Sequence, residues 1–162
     1  MRYIRKATPA DAERIRYIAE QCWGLASNDK DAQKKIGQMI HDIYSRRKLT
    51  NEINNNISIF LLAIEREQAV AFISYTSAST KLNACEINAL YCLPETQGKR
   101  LDELLVSEVI KNTIAAEGNR IFVVLTKCNG PVGLFERRGF RPLETKDQED
   151  PGHEILVLEC AK

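Results

Sequence analysis

The junction between residues 90 and 105 limits the possible folds of this chain more than any other segment. The apolar run Leu90–Leu93 reaches Pro94, a short polar loop contains the single glycine Gly98, and leucines at helical spacing begin at Leu101. A strand that ends at a proline and a helix that begins soon afterwards direct several free backbone N–H groups to one point, where the helix dipole favours an anion. The junction therefore predicts a phosphate-binding turn between a strand and a helix.

The segments around this junction alternate between strand and helix patterns, with no repeat and no linker. The first predicted elements are an edge strand over 2–7, a helix starting at Thr8-Pro9-Ala10-Asp11, a second helix with Ile36, Met39, Ile40 and Ile43 on one face, and a third helix around 47–53. A hairpin of 59–64 and 69–75, a strand over 85–93 and a helix from Leu101 to a C-cap at Gly118 follow. The last predicted elements are a buried strand over 121–126, a short helix over 132–138, and strands at 140–143 and 154–159. This order predicts one α/β domain over residues 1–162.

Net charge and hydropathy exclude two classes of partner. The chain has 23 Lys plus Arg against 22 Asp plus Glu, so a formal charge of +1 gives no field that would attract nucleic acid or an anionic membrane. The N-terminal segment carries no apolar signal region, and no apolar run is long enough to span a bilayer. We therefore expect a cytoplasmic protein that binds neither nucleic acid nor membrane.

The cysteines and histidines do not form a metal-binding pattern. Five cysteines contain no C-x-x-C pair, and the chain has only two histidines. We predict no metal site and reduced thiols, most of them small core residues. Cys92 lies at the strand–loop junction, so it is a candidate nucleophile, although a core or backbone role is the favoured interpretation.

Two motifs connect the chain to a known family. The segment Leu90-Tyr-Cys-Leu-Pro-Glu-Thr-Gln-Gly-Lys99 is similar to an acetyl-CoA loop whose usual form is Gln/Arg-x-x-Gly-x-Gly/Ala after a strand and a proline. The segment Asn129-Gly-Pro-Val-Gly-Leu-Phe-Glu-Arg-Arg-Gly-Phe140 is similar to a late helix written Asn-x-Ala-x-x-Phe-Tyr-Glu-x-x-Gly-Phe. With these motifs in this order, the chain resembles the GCN5-related N-acetyltransferase (GNAT) superfamily over nearly its whole length.

The resemblance implies a fold and a cofactor site. The fold is α/β (α+β), with a mixed, mostly antiparallel sheet of six to seven strands flanked by helices. Acetyl-CoA, the implied co-substrate, lies in a splayed gap between the strand ending at Leu93 and the strand 121–126, its pantetheine arm paired with strand backbone and its pyrophosphate on loop N–H groups. The implied cofactor-binding residues are Tyr91, Cys92, Leu93, Gln97, Gly98, Lys99, Arg100, Leu101, Asp102, Asn129 and Phe135.

The sequence departs from the family pattern at three of these positions. Arg100 and Asp102 stand where the motif usually has Gly and Gly/Ala, and Phe135 stands where many relatives have a tyrosine thought to protonate the leaving thiolate. A carboxylate at a helix start opposes an incoming phosphate, yet Asp102 and Glu103 also fit as first-turn acids of an ordinary helix. The departures leave two alternatives, an active enzyme and a degenerate binding or regulatory module.

The implied reaction is direct attack of a primary amine, from a small molecule or a peptide, on the acetyl thioester. Glu86, on the strand leading to the loop, is the candidate base because alternation places it in phase with Asn88, Leu90 and Cys92. A solvated strand acid is the favoured interpretation of this residue. Tyr44 and Tyr75 are candidate walls of the acceptor cleft. The acceptor cannot be read from the sequence, and the resemblance also allows a homodimer.

Overall fold

A seven-stranded sheet organises the chain in the computed structural model, which describes residues 2–24, 30–56, 58–76, 84–96, 99–125, 132–142 and 154–159. The strands are β1 (Arg2–Lys6), β2 (Ile59–Glu65), β3 (Gln68–Thr76), β4 (Ala84–Cys92), β5 (Arg120–Leu125), β6 (Arg141–Pro142) and β7 (Glu154–Glu159). The helices are α1 (Ala12–Gly24), α2 (Lys30–Ile43), α3 (Arg46–Asn54), α4 (Leu101–Ala115) and α5 (Val132–Arg137), with 3₁₀ turns at Pro9–Asp11 and Pro94–Thr96.

The strand order is β1-β2-β3-β4-β5-β7-β6. All neighbouring strands pair antiparallel except β4 and β5, which pair parallel. The predicted α/β fold with a mixed, mostly antiparallel sheet is therefore confirmed, and β1 lies at a sheet edge as predicted. The parallel pair requires a crossover, and α4 provides it.

Helices cover the sheet on two faces and bury a different set of side chains on each. On one face, α4 and α5 pack through Leu101, Leu105, Val106, Val109, Leu134 and Phe135. On the other face, α1, α2 and α3 pack through Ile15, Ile18, Ala19, Ile40, Leu49 and Ile53. The strands supply the matching residues in alternation, as expected for a sheet buried on both sides. We call these the α4 face and the α1–α3 face.

The start of α1 follows the predicted cap. The backbone N–H of Thr8 donates to the carboxylate of Asp11 at 2.8 Å, and Arg5 donates two hydrogen bonds to the same carboxylate, both at 2.8 Å. The Arg5 hydrogen bond is the largest cause that holds the pKa of the Asp11 carboxyl below its usual value. This bidentate pair ties the edge strand β1 to the first turn before α1.

Two turns use left-handed backbone at residues other than glycine. The β2–β3 hairpin turns through Arg66 and Glu67, with φ of 52° and 66°, which is the conformation that usually selects Asn-Gly. At the end of α4, Glu117 is left-handed with φ of 62°, while the N–H of Gly118 donates to the carbonyl of Thr113 at 2.8 Å. The helix therefore ends in a Schellman motif one residue earlier than predicted, so Gly118 is not the left-handed residue.

Helix α2 buries less of its apolar face than its sequence predicts. Ile40 is buried, but Met39 and Ile43 are each 43% exposed. Because α2 packs mainly against α1 and lies outside the layer next to the sheet, one row of side chains is enough to make that contact. The periodicity predicted the helix correctly and the extent of its burial incorrectly.

Candidate active site

Strands β4 and β5 separate before either strand ends. Their parallel pairing covers Ala84–Ile87 against Arg120–Val123 and stops at the pair Ile87 and Val123. Strand β4 nevertheless continues to Cys92, and β5 continues to Leu125. Among the described residues, the second half of β4 therefore has β3 on one side and no strand partner on the β5 side, in the position where the family resemblance implies a splayed site. We call this open side the gap.

A β-bulge at Asn88 controls which face of the sheet each β4 side chain points to. Ser74 pairs with Ala89 whereas Tyr75 pairs with Ile87, so β4 carries one extra residue between those pairs. Cys85 and Ile87 pack on the α4 face, and after the bulge Leu90 and Cys92 pack there too. A bulge of one residue reverses the alternation, as these contacts require.

The predicted phase of Glu86 is therefore wrong. Alternation places Glu86 on the α1–α3 face, opposite the side chains of Leu90 and Cys92, because the extra residue Asn88 lies between them. The Glu86 side chain is exposed. Its assignment as a base stays a prediction, and any proton that it removes must be taken on the α1–α3 face.

The backbone phase of β4 shows which of its polar groups are open to the gap. The N–H of Leu93 donates to the carbonyl of Val70 on β3 at 2.9 Å. In an antiparallel pair, alternate residues hydrogen bond to the same neighbour, so Tyr91 and Leu93 direct their backbone groups to β3. Leu90 and Cys92 direct theirs to the gap. Of the three predicted backbone contacts, Tyr91, Cys92 and Leu93, only Cys92 presents its groups there, and Leu90 joins it.

A cysteine that the sequence analysis did not single out lies at the same edge. The thiol of Cys22, near the end of α1, donates to the carbonyl oxygen of Cys92 at 3.2 Å. Burial raises the pKa of the Cys22 thiol to about 11, and burial, with a smaller contribution from the Asp102 charge, raises that of Cys92 to about 12. Both thiols are protonated near neutral pH, which disfavours either as a nucleophile.

The start of α4 contains a left-handed residue at position 100, where the motif given above usually has a glycine. Arg100, the N-cap, is exposed and left-handed with φ of 57° and ψ of 28°. The carboxylate of Asp102 is half-buried and accepts a hydrogen bond from the N–H of Glu103 at 2.9 Å. Among the described residues, none accepts a hydrogen bond from the N–H groups of Leu101 and Asp102. An anion donor set thus exists at this turn, and a carboxylate of the chain itself occupies part of it.

Lys99 is engaged with a residue that the sequence analysis did not identify. Its ammonium lies 2.7 Å from Oε1 of Glu65 at the end of β2, and Arg2 donates to the carbonyl of Lys99 at 3.3 Å. These residues are 34 and 97 positions from Lys99, and no local pattern signals such a contact. Gln97, Gly98 and Asn129, which the resemblance also assigns to the cofactor, lie outside the described residues.

Three aromatic residues of the predicted site have different environments. Phe135 is 1% exposed and packs edge-to-face on Phe140 with ring centroids 5.3 Å apart, in the apolar cluster of the α4 face. The hydroxyl of Tyr75 accepts a hydrogen bond from Asn112 of α4 at 3.3 Å. Tyr44 packs on Phe72 on the α1–α3 face. Because the sheet separates Tyr44 from Tyr75, they cannot line the same wall of one cleft.

The described part of the chain has neither a metal-binding cluster nor a membrane-spanning helix. It contains no group of three or more His, Cys, Asp and Glu side chains that could hold a metal ion. None of its helices combines the length and the apolar character that crossing a bilayer requires.

Comparison with known proteins decides the family. Residues 26–160 match the family described as the acetyltransferase (GNAT) domain. The chain belongs to the GNAT acetyltransferase family. No curated protein sequence matches this GNAT chain.

Solved structures of GNAT proteins share the fold at low sequence identity. PaiA N-acetyltransferase from Thermoplasma acidophilum, solved in complex with coenzyme A, matches with a TM-score of 0.83 and 24% identity over 98% of this chain and 99% of that one. A GNAT acetyltransferase from Streptococcus pneumoniae gives 0.74 and 16% over 99% and 100%. A Brucella melitensis GNAT acetyltransferase, solved in complex with acetyl-CoA, gives 0.65 and 19% over 100% and 90%.

Proposed function

We propose that this GNAT chain is an acetyl-CoA-dependent N-acetyltransferase that acts on a primary amine of a small molecule or peptide. The observation that carries the proposal is the gap beyond the pair Ile87 and Val123. There the backbone groups of Leu90 and Cys92 have no strand partner among the described residues, and the Cys92 carbonyl accepts only the hydrogen bond from the Cys22 thiol. The pantetheine arm has amides that can pair with such an edge, and the pyrophosphate fits N–H groups at a helix start. Related folds solved with coenzyme A or acetyl-CoA support this assignment.

The chain's own residues favour direct attack by the amine over a covalent enzyme intermediate. Cys22 and Cys92 are both protonated at neutral pH, so neither supplies a thiolate. Phe135 has no proton to give to the departing CoA thiolate, but a thiol with a pKa of about 8.5 is a competent leaving group near neutral pH. The backbone N–H groups of Leu90 and Cys92 orient the substrate. The amine nitrogen forms its bond to the acetyl carbon as the carbon–sulfur bond breaks, and solvent accepts the proton that the amine loses and supplies the proton that the departing thiolate takes up.

Thermal unfolding with three ligands and an acetyl-transfer assay test the proposal. Acetyl-CoA at 100 times its dissociation constant adds about 2.7 kcal/mol to the free energy of unfolding, which raises the Tm of a chain of this length by about 5–10 °C. CoA should act similarly and pantetheine much less. Release of free CoA thiol is then measured against a panel of primary amines. An unchanged Tm at millimolar acetyl-CoA would contradict the proposal.

A second candidate function is a binding or regulatory module that has lost tight cofactor binding. The hydrogen bond from the N–H of Glu103 to Asp102 favours it, because this carboxylate occupies donor space and repels a phosphate. Left-handed backbone at Arg100 adds strain of about 1–2 kcal/mol that a glycine would not have. The same unfolding experiment separates the candidates, because the module is not stabilised by acetyl-CoA.

A further inference from the structure

A group of three charged residues fixes the backbone just before the start of α4. Glu65 at the end of β2 lies 2.7 Å from the ammonium of Lys99 and 3.5 Å from the guanidinium of Arg2. Arg2 also donates to the carbonyl of Lys99 at 3.3 Å. We call Arg2, Glu65 and Lys99 the loop clamp, since it joins the edge of the sheet to the loop on which the proposed pyrophosphate site depends.

Glu65 is the centre of the loop clamp. Its side chain is 15% exposed, against 45% for Arg2 and 38% for Lys99, so the carboxylate is the least solvated of the three groups. Its Oε2 is buried and has no hydrogen-bond partner among the described residues, and the nearby Arg2 guanidinium balances its charge. The Lys99 hydrogen bond is the largest cause that holds the pKa of this carboxyl below its usual value. Glu65 therefore stays ionised at neutral pH.

The residue that the loop clamp holds is well placed to control the helix start. Lys99 is fixed through its ammonium, through its carbonyl, and through its N–H, which donates to Thr96 at 3.1 Å. The next residue, Arg100, is in the left-handed conformation, which is unfavourable for a side chain other than glycine. If Lys99 were not held by the loop clamp, the backbone of Arg100 could adopt other, more favourable φ/ψ conformations. Ordering it again when a ligand binds costs affinity.

We propose that Glu65 is a positioning residue for the nucleotide half of CoA, acting through Lys99 and Arg2 to hold the start of α4 in the shape that presents its N–H groups. This inference rests on the proposed function. It also gives Lys99 a different role from a direct phosphate contact, because its ammonium already has a carboxylate partner. The opposite role for Glu65, restraining Lys99 from a phosphate, predicts a change in affinity of the opposite sign.

The test compares the affinities of two ligands across a double-mutant cycle. Calorimetry or titration by NMR gives the dissociation constants of CoA and of pantetheine, which lacks the nucleotide, for the wild type, Glu65→Gln, Lys99→Met and the double variant. We expect Glu65→Gln to weaken CoA about threefold to tenfold and to leave pantetheine within about twofold. In the Lys99→Met background, Glu65→Gln should have a smaller effect than in the wild type, because only the route through Arg2 remains. In turnover, KM for acetyl-CoA should rise with kcat unchanged.

Two further variants separate the loop clamp from general effects. Glu13→Gln removes the carboxylate of an exposed pair with Arg46, 3.4 Å apart and remote from α4, and should leave CoA affinity unchanged. If Glu65→Gln does not fold, Glu65→Asp retains the charge on a shorter stem, and CoA should still weaken relative to pantetheine.

Each other outcome overturns a defined part of the inference. An unchanged or tighter CoA affinity in Glu65→Gln overturns the positioning role. Equal weakening of CoA and pantetheine indicates general destabilisation and overturns it as well, whereas additive losses in the double variant overturn the route through Lys99. If the wild type does not bind CoA, the proposed function fails first, and this result is distinct because it appears without any substitution.

Discussion

Removing the charge of Asp102 should lower the free energy of unfolding of the unliganded chain and increase its affinity for acetyl-CoA. Asp102→Asn keeps the size of the side chain and an oxygen that can accept the hydrogen bond from the N–H of Glu103. It removes the negative charge from the first turn of α4. A first-turn carboxylate stabilises a helix by about 0.3–1 kcal/mol, so the free energy of unfolding should fall by that amount without ligand.

The gain in affinity follows from the distance between two anions that use the same helix start. The Asp102 carboxylate lies 2.9 Å from the N–H nitrogen of Glu103, so a phosphate on neighbouring N–H groups would be about 4–6 Å from it. At an effective dielectric near 20, unit charges at that separation repel by about 3–4 kcal/mol before screening. Because Asp102 is half-buried, part of this repulsion is lost to solvent and salt. A tightening of about tenfold, or 1.4 kcal/mol, is therefore expected.

Calorimetric titration with acetyl-CoA, in parallel with urea unfolding without ligand, measures the two effects separately. The matched control is Glu103→Gln, which removes a neighbouring first-turn charge whose side chain pairs with Arg137 at 3.2 Å. It should change acetyl-CoA affinity less than Asp102→Asn does. Unchanged or weaker acetyl-CoA binding by Asp102→Asn would show instead that the carboxylate does not face the phosphates.

Three more predictions follow from buried groups. Phe135→Tyr should lower the free energy of unfolding by about 1–3 kcal/mol without raising turnover, because Phe135 is buried in a mainly apolar cluster where a hydroxyl loses its contact with water. Urea unfolding and kcat check this, and faster turnover at full stability would contradict it. Cys22→Ala and Cys92→Ala should each retain acetyl-transfer activity, because both native thiols are protonated near neutral pH. Mass spectrometry should show that an alkylating reagent modifies both native thiols slowly at pH 7.5. Loss of acetyl transfer in either variant would indicate a covalent route. The lowered pKa of Asp11 contributes stability that is present above its unfolded pKa of about 3.9 and is lost as the pH falls through its folded pKa. The free energy of unfolding in urea should therefore differ less between wild type and Asp11→Asn below about pH 4. A difference that does not change with pH would show that the Arg5 pair contributes nothing.

Sequence periodicity predicted the elements of the fold well, because each element carries its own local signal. The strand ending before Pro94, the helix starting at Leu101 and the hairpin of β2 and β3 all lie where the pattern placed them. The hairpin turns at Arg66 and Glu67 as predicted, although neither residue is glycine. The error lies at the end of α4, where Glu117 and not Gly118 takes the left-handed position. The hydrogen bonds at the end of α4 accompany a conformation of Glu117 that its own preference does not favour.

The candidate site could be located from the sequence, but its geometry could not. Residue order placed the gap next to β4, whereas the bulge at Asn88 leaves no mark in the hydrophobic pattern and moves Glu86 to the opposite face. Glu65 reaches Lys99 only because the end of β2 and the start of α4 meet in three dimensions. The sequence alone gives no signal for a contact between residues 34 positions apart.

Hydrogen exchange of single amides on β4, followed by NMR with and without acetyl-CoA, tests whether the cofactor lies in the gap between β4 and β5. If pantetheine pairs with the open edge of β4, the amides of Leu90 and Cys92 should become protected on binding. Those of Tyr91 and Leu93, which already face β3, should change little. We expect this alternating pattern of protection. Binding that leaves Leu90 and Cys92 unprotected, or that protects all four residues equally, would contradict a cofactor lying in the gap between β4 and β5.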